Sequence, residues 1–200
     1  MRQYLFFILT IILITACVPT PRSYHKPYYD GGTLISGNCS VGQKEKLEIE
    51  LPSDALLTVK ASSSNSAPYI GQIYVYVEVK APEGISLQLA NDKLIIKDLE
   101  STNKWSIQLD DIQVNLEGEY HDLPPLTKVK GQTNFYEVLG GRKRYFNSGF
   151  SFSVVSNKTP TFLSYFSLEL PIIVVNGVKK NLSLIEFKYT EDIGIAPVNC

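Results

Sequence analysis

A chain of 200 residues with 44% hydrophobic and 20% charged side chains is long enough for one folded core and too apolar for a disordered polymer. Nineteen Lys and Arg against twenty Asp and Glu leave a net charge of -1, which excludes the strongly basic field that a nucleic-acid partner requires. Twelve Tyr and nine Phe against one Met favour the half-buried pleated surface of a sheet.

The first element is a leader. Arg2 supplies a positive start, and the apolar run from Tyr4 to Thr15 follows it, the layout of an export signal. About a dozen residues at a rise of about 1.5 Å fall short of a hydrocarbon core of about 30 Å, so the run is expected to be removed rather than to span a membrane. It closes on Leu13-Ile14-Thr15-Ala16-Cys17, which resembles the lipobox of bacterial lipoproteins: an aliphatic residue, two small ones and a cysteine. The resemblance implies cleavage after residue 16 and acylation of Cys17 with diacylglycerol and an amide-linked chain such as palmitate. The protein would then be held by membrane lipid, since each buried CH₂ adds about 0.8 kcal/mol. Val18 stands where an aspartate would retain such a protein at the inner membrane, so by analogy the expected address is the outer membrane, the domain facing the periplasm or the cell surface.

Residues 18–32 carry Pro19, Pro21 and Pro27 and no apolar periodicity. Proline biases a chain to extended forms, so residues 17–32 are expected to be a lipidated N-terminus and a tether, with His25 solvated within it. The Tyr24, Tyr28 and Tyr29 cluster would alternatively serve as a docking peptide for a partner's groove. A single β domain is expected over residues 33–200. Within it, Cys39 and Cys200 remain once Cys17 is acylated, and an oxidising periplasm would pair them as a disulfide. Closing so long a loop would stabilise the fold by at most about 5 kcal/mol.

Strands follow in order. Lys46-Leu47-Glu48-Ile49-Glu50-Leu51 alternates charged and aliphatic residues, which puts Leu47, Ile49 and Leu51 on a buried face. The same period recurs at Tyr74-Val75-Tyr76-Val77-Glu78-Val79, at Ile107 and Leu109, at Ile112-Gln113-Val114-Asn115-Leu116 and at Phe150-Ser151-Phe152-Ser153-Val154. Trp105 opens a strand and is expected in the core. Pro52-Ser53-Asp54, Pro82-Glu83-Gly84, Asn91-Asp92, Gly140-Gly141 and residues 157–160 punctuate these segments as turns. Two hairpins are predicted, one across Asn176-Gly177 in a type I′ turn and one across Ala90-Asn91-Asp92-Lys93. A change of phase between Leu182 and Tyr189 predicts a bulge. Short strands without helical periodicity predict an all-β fold, an antiparallel two-sheet β-sandwich; a closed β-barrel is the competing architecture.

Catalytic signals are sparse. His121 lies in Glu117-Gly118-Glu119-Tyr120-His121-Asp122, near Asp110 and Asp111. It is a candidate general base or metal ligand, but adjacent strand residues point to opposite faces, and an acidic surface loop is the plainer reading. The sequence lacks Gly-x-Ser-x-Gly, Ser-x-x-Lys with Lys-Thr-Gly, and His-Glu-x-x-His. No catalytic, metal or cofactor-binding residue is therefore assigned, and no cofactor is expected. Gly140-Gly141-Arg142-Lys143-Arg144-Tyr145 is a basic tip suited to solvent or to anionic head groups. The functional expectation is a non-catalytic, membrane-anchored envelope lipoprotein that meets an envelope protein partner. The alternative is a binding or carrier module for a small apolar ligand or glycan, using Tyr74 and Tyr76.

Overall fold

A computed structural model describes residues 18–36, 44–64, 67–116, 119–138, 142–155 and 159–196. Cys17, Cys39 and Cys200, and hence the expected lipidation and disulfide, lie outside the described residues. The strands, in chain order, are β1 (Val18–Tyr28), β2 (Thr33–Ile35), β3 (Lys46–Glu50), β4 (Leu56–Ser63), β5 (Ile73–Ala81), β6 (Ser86–Leu89), β7 (Lys93–Asp98), β8 (Lys104–Gln108) and β9 (Ile112–Leu116). They continue with β10 (Glu119–Leu123), β11 (Val129–Lys130), β12 (Gln132–Val138), β13 (Arg142–Val154), β14 (Tyr165–Glu169), β15 (Ile173–Val175), β16 (Val178–Lys180) and β17 (Ile185–Ala196).

The fold is all-β and antiparallel, and its architecture is that of a β-sandwich. One sheet runs β1-β17-β14-β7-β8; a second runs β10-β9-β13-β5-β4-β3-β2, with β12 also paired to β13; a third runs β11-β6-β15-β16. Each sheet ends on free strands, so none is closed into a barrel. Alternation accounts for the core. Leu47 and Ile49 from β3, Leu57 and Val59 from β4, and Val75, Val77 and Val79 from β5 are all buried, while Glu48 of β3 and Tyr74, Tyr76 and Glu78 of β5, on the opposite face, are only partly so. Phe150 and Phe152 of β13, Leu94 and Ile96 of β7, Phe166 and Leu168 of β14, and Ile185 and Phe187 of β17 join them in one hydrophobic cluster, with Trp105 packed against it half-buried. Each such side chain contributes about 1.5–3 kcal/mol on leaving water.

Turn chemistry fixes the hairpins. Asn176 and Gly177 adopt φ of 49° and 81°, the type I′ geometry expected, and Val175 pairs with Val178 across them. Ser53 and Asp54 take the same left-handed geometry, with φ of 59° and 57°, between β3 and β4. Strand β13 serves two neighbours along one edge: residues 142–148 pair with β12, and Phe150 and Ser151 with β9, while residues 148–154 pair with β5 on the other edge. Gly149 sits at that changeover, where an added Cβ would lie 2.2 Å from the Val79 carbonyl oxygen.

Three expectations are corrected. Residues 90–93 do not form a hairpin: β6 pairs with β15 and β11, and β7 with β14 and β8. The connection is a corner between sheets, tied down by Ala90 N–H to the Ile172 carbonyl at 2.8 Å and by Ile172 N–H to Asn91 Oδ1 at 2.8 Å. The phase change after Leu182 is not a bulge either, because residues 181–184 are irregular and β17 starts in register at Ile185.

The third correction concerns the proline-rich stretch. Residues 18–28, expected to be an unpaired tether, form β1, which pairs antiparallel with β17 from Val18 opposite Ala196 to Tyr28 opposite Glu186. His25, expected in solvent, is 1% exposed. Pro19, Pro21 and Pro27 occupy alternate positions in that register, the positions whose missing N–H would face away from β17, so the ladder loses nothing to them. Strand β14 pairs with β17 only over residues 185–188. Beyond that point residues 18–24 and 190–196 pair only with each other, a two-stranded ribbon about 20 Å long at about 3.3 Å per residue.

Truncating Phe187, fully buried and stacked on Phe166 with centroids 5.4 Å apart, to alanine is expected to destabilise the chain by about 3–5 kcal/mol, read as a lower urea midpoint at unchanged slope.

Candidate functional site

Three places bring chemically capable side chains together. The first surrounds His121, on β10 opposite Val114 and exposed. The strand period puts Glu119 and His121 on one face and Tyr120 and Asp122 on the other. Asp122 is engaged elsewhere, its Oδ1 accepting from Gln113 Nε2 at 3.1 Å. Asp110 and Asp111 line a separate groove with Asp92 and Pro125. What His121 does share is an open groove of about 950 Å³ with Glu83, Glu119, Lys130, Gln132 and Asn134. Among the described residues no group of three or more His, Cys, Asp and Glu stands close enough to hold a metal ion.

The second place is the outer face of the largest sheet. Pairing of β10, β9, β13 and β5 sets Tyr76, Gln113, Asn115, Tyr120, Phe146 and Ser151 around a cleft of about 120 Å³. Tyr76 is half-buried and its hydroxyl hydrogen-bonds to Ser151; burial, with the Glu78 carboxylate nearby, pushes the phenol up to about 12. Glu78 is itself paired with Lys80 at 3.0 Å. Of the two tyrosines singled out in the sequence, Tyr76 lines this cleft and Tyr74 does not. Its other aromatic members, Tyr120 and Phe146, escaped sequence reasoning because only the order of strands brings them beside Tyr76. Of the basic tip, Gly140 and Gly141 lie outside the described residues, residues 142–145 open β13, and Tyr145 is exposed with its ring centroid 6.2 Å from that of Phe135.

The third place is interior. His25 stands within an aromatic box, its ring centroid 5.3 Å from Phe166, 5.8 Å from Tyr189 and 6.1 Å from Phe162. Nε2 lies 2.8 Å from the carbonyl oxygen of Leu163, and since a carbonyl only accepts, Nε2 carries the hydrogen. Nδ1 is buried and has no hydrogen-bond partner among the described residues. Burial pushes the imidazole below its ordinary value of 6.5, and the bond to Leu163 opposes that only partly. No sequence signal marked this histidine, because its surroundings come from the far end of the chain.

The weakened acidity of Tyr76 has a measurable consequence. A phenol whose folded value exceeds 10.0 favours the folded state while neutral, so its stabilisation is lost as pH rises above about 10. Tyr76→Phe is expected to lessen the alkaline loss of stability between about pH 10 and about pH 12 while leaving stability near neutrality within about 1 kcal/mol, as followed by urea melts at stepped pH. Comparison with known proteins finds no matching family model, no matching curated protein and no matching solved structure.

Proposed function

We infer that this chain is a membrane-anchored bacterial envelope lipoprotein whose β-sandwich is a non-catalytic binding module, displayed from the outer membrane toward the periplasm or the cell surface. The observation that carries this reading is a juxtaposition: the lipobox-like Leu13-Ile14-Thr15-Ala16-Cys17 ends one residue before β1, and β1 is zipped along β17 into a ribbon. Acyl chains on Cys17 would therefore sit next to the ribbon's outer end, with the folded core about 20 Å behind it. A disulfide between Cys39 and Cys200 belongs to the same proposal, tying the chain's C-terminal end to the segment after β2.

What the module binds is proposed to be an envelope protein, and a second reading has the aromatic cleft in its favour. Tyr76, Tyr120 and Phe146 with the amides of Gln113 and Asn115 are the residue types that stack on a sugar ring and bond its hydroxyls. At about 120 Å³ the cleft is smaller than the roughly 300–1,000 Å³ of enclosed ligand sites, which favours a surface-bound glycan over an internally carried apolar ligand.

Replacing the sulfur tests the anchor directly. Cys17→Ser is expected to abolish metabolic labelling with palmitate and to move the protein from the membrane pellet to the soluble fraction. A serine variant that stays in the pellet after high-salt washing would overturn the reading.

A further inference from the structure

The N-terminal strand is an edge strand held from one side. Its backbone pairs with β17 alone, and its buried side chains are Tyr24, His25 and Pro27. Two polar groups fasten this strand to the body: Tyr24, hydrogen-bonded to the Lys44 backbone, and His25, the one that can take up a proton, reaching Leu163, 138 residues away.

We propose that β1 is an acid-released strap with His25 as its latch: neutral, the imidazole docks in the Phe162, Phe166 and Tyr189 box with Nε2–H on Leu163, and protonated, it carries a second N–H that the box cannot accept. This rests on the reading that Cys17 carries the lipid, because only then does release change how far the domain stands from the bilayer. Strapped, the anchor is fixed at the ribbon's outer end. Released, the eleven residues of β1 become a proline-rich leash reaching up to about 36 Å at about 3.3 Å per residue.

Among the described residues the surroundings offer the new proton no partner. On β17, Tyr189 directs its hydroxyl to Glu191 Oε1 at 3.2 Å, and Glu186 takes the hydroxyl of Tyr165 from β14. Beside Leu163, Ser164 donates to Glu100. On β4, Lys60 is paired with Glu45 at 3.0 Å, and on β1 itself Lys26 lies over the Tyr28 ring at 5.5 Å while the Tyr24 hydroxyl is hydrogen-bonded to the Lys44 backbone with Asp192 nearby. None of these charges adds to the two influences on His25, burial and the Leu163 carbonyl. A histidine that titrates below 6.5 when folded stabilises the strapped state while neutral, and that stabilisation is lost as pH falls below 6.5. Carboxylates of ordinary acidity titrate near pH 4, so the step belongs to the imidazole.

Amide hydrogen exchange on the full-length chain in detergent micelles, corrected for intrinsic rates, reads the strap. Between about pH 7.5 and about pH 5, protection of residues 18–28 and of residues 190–196 is expected to fall at least about tenfold, while β4 and β5 keep theirs. His25→Phe, which keeps an apolar ring in the box and cannot be protonated, is expected to abolish the step. A step of equal size in His25→Phe, or none in the native chain, overturns the latch. Should that variant fail to fold, the imidazole resonance of His25 in the native chain decides: titration at the ordinary value with β1 still protected overturns it equally. Exchange in Cys17→Ser separates the two readings, since an intact step in a variant that stays on the membrane sinks the anchor alone, and a flat profile in one that leaves the membrane sinks the latch alone.

Discussion

The pairing of the first described strand with the last is the constraint on which the rest of this molecule depends. Strand β17 lies between β14 and β1, so the first and last described strands are joined over eleven residue pairs, the outer seven of them before the core is reached. Forming that ladder means closing a loop of nearly the whole chain, a large entropic cost that no local contact offsets. What offsets it is the aromatic packing where the ladder meets the core: Phe166 on Phe187, fully buried, with His25 against Phe166 and Tyr189 against His25. Tyr24, buried and hydrogen-bonded to the Lys44 backbone, holds the root of the ribbon, whose order farther out follows from the body's.

How much of this was legible in the sequence depends on whether the determining contacts are local. Residues 46–51, 74–79 and 150–154 have one face in the core and one in water, so their alternation declared both the strands and the buried side. Asn176-Gly177 carried its own turn geometry. The corner at residues 90–93 was misread because two short apolar strands around a brief loop look alike whether they pair or turn into different sheets; the choice is made by Ile172 and Leu109, which bond the corner from elsewhere. Strand β1 was misread for a related reason. Tyr24 and His25 are consecutive and both buried, so the segment is covered on both faces and shows no period.

The candidate site followed the same division. Sequence placed His121 and Asp122 on opposite faces correctly, yet set Asp110 and Asp111 beside them when they line another groove. It singled out Tyr76 and passed over Tyr120 and Phe146, whose proximity exists only through the strand order β10-β9-β13-β5. It set His25 aside because a lone histidine among prolines has no local partner, and its partners arrive from residues 162–166 and 189. Chemistry assembled from distant segments is invisible to spacing rules.

The prolines of β1 have a bearing beyond the single molecule. Proteins gathered on a two-dimensional surface meet at high local density, and an uncapped strand at the side of a sheet is a template on which a neighbour's backbone can continue the ladder. Along the outer side of β1, Pro19, Pro21 and Pro27 remove donors at the alternate positions where such a neighbour would bond. Copies meeting side by side would find no continuous row of amides there, which hinders a ladder from passing from one copy to the next.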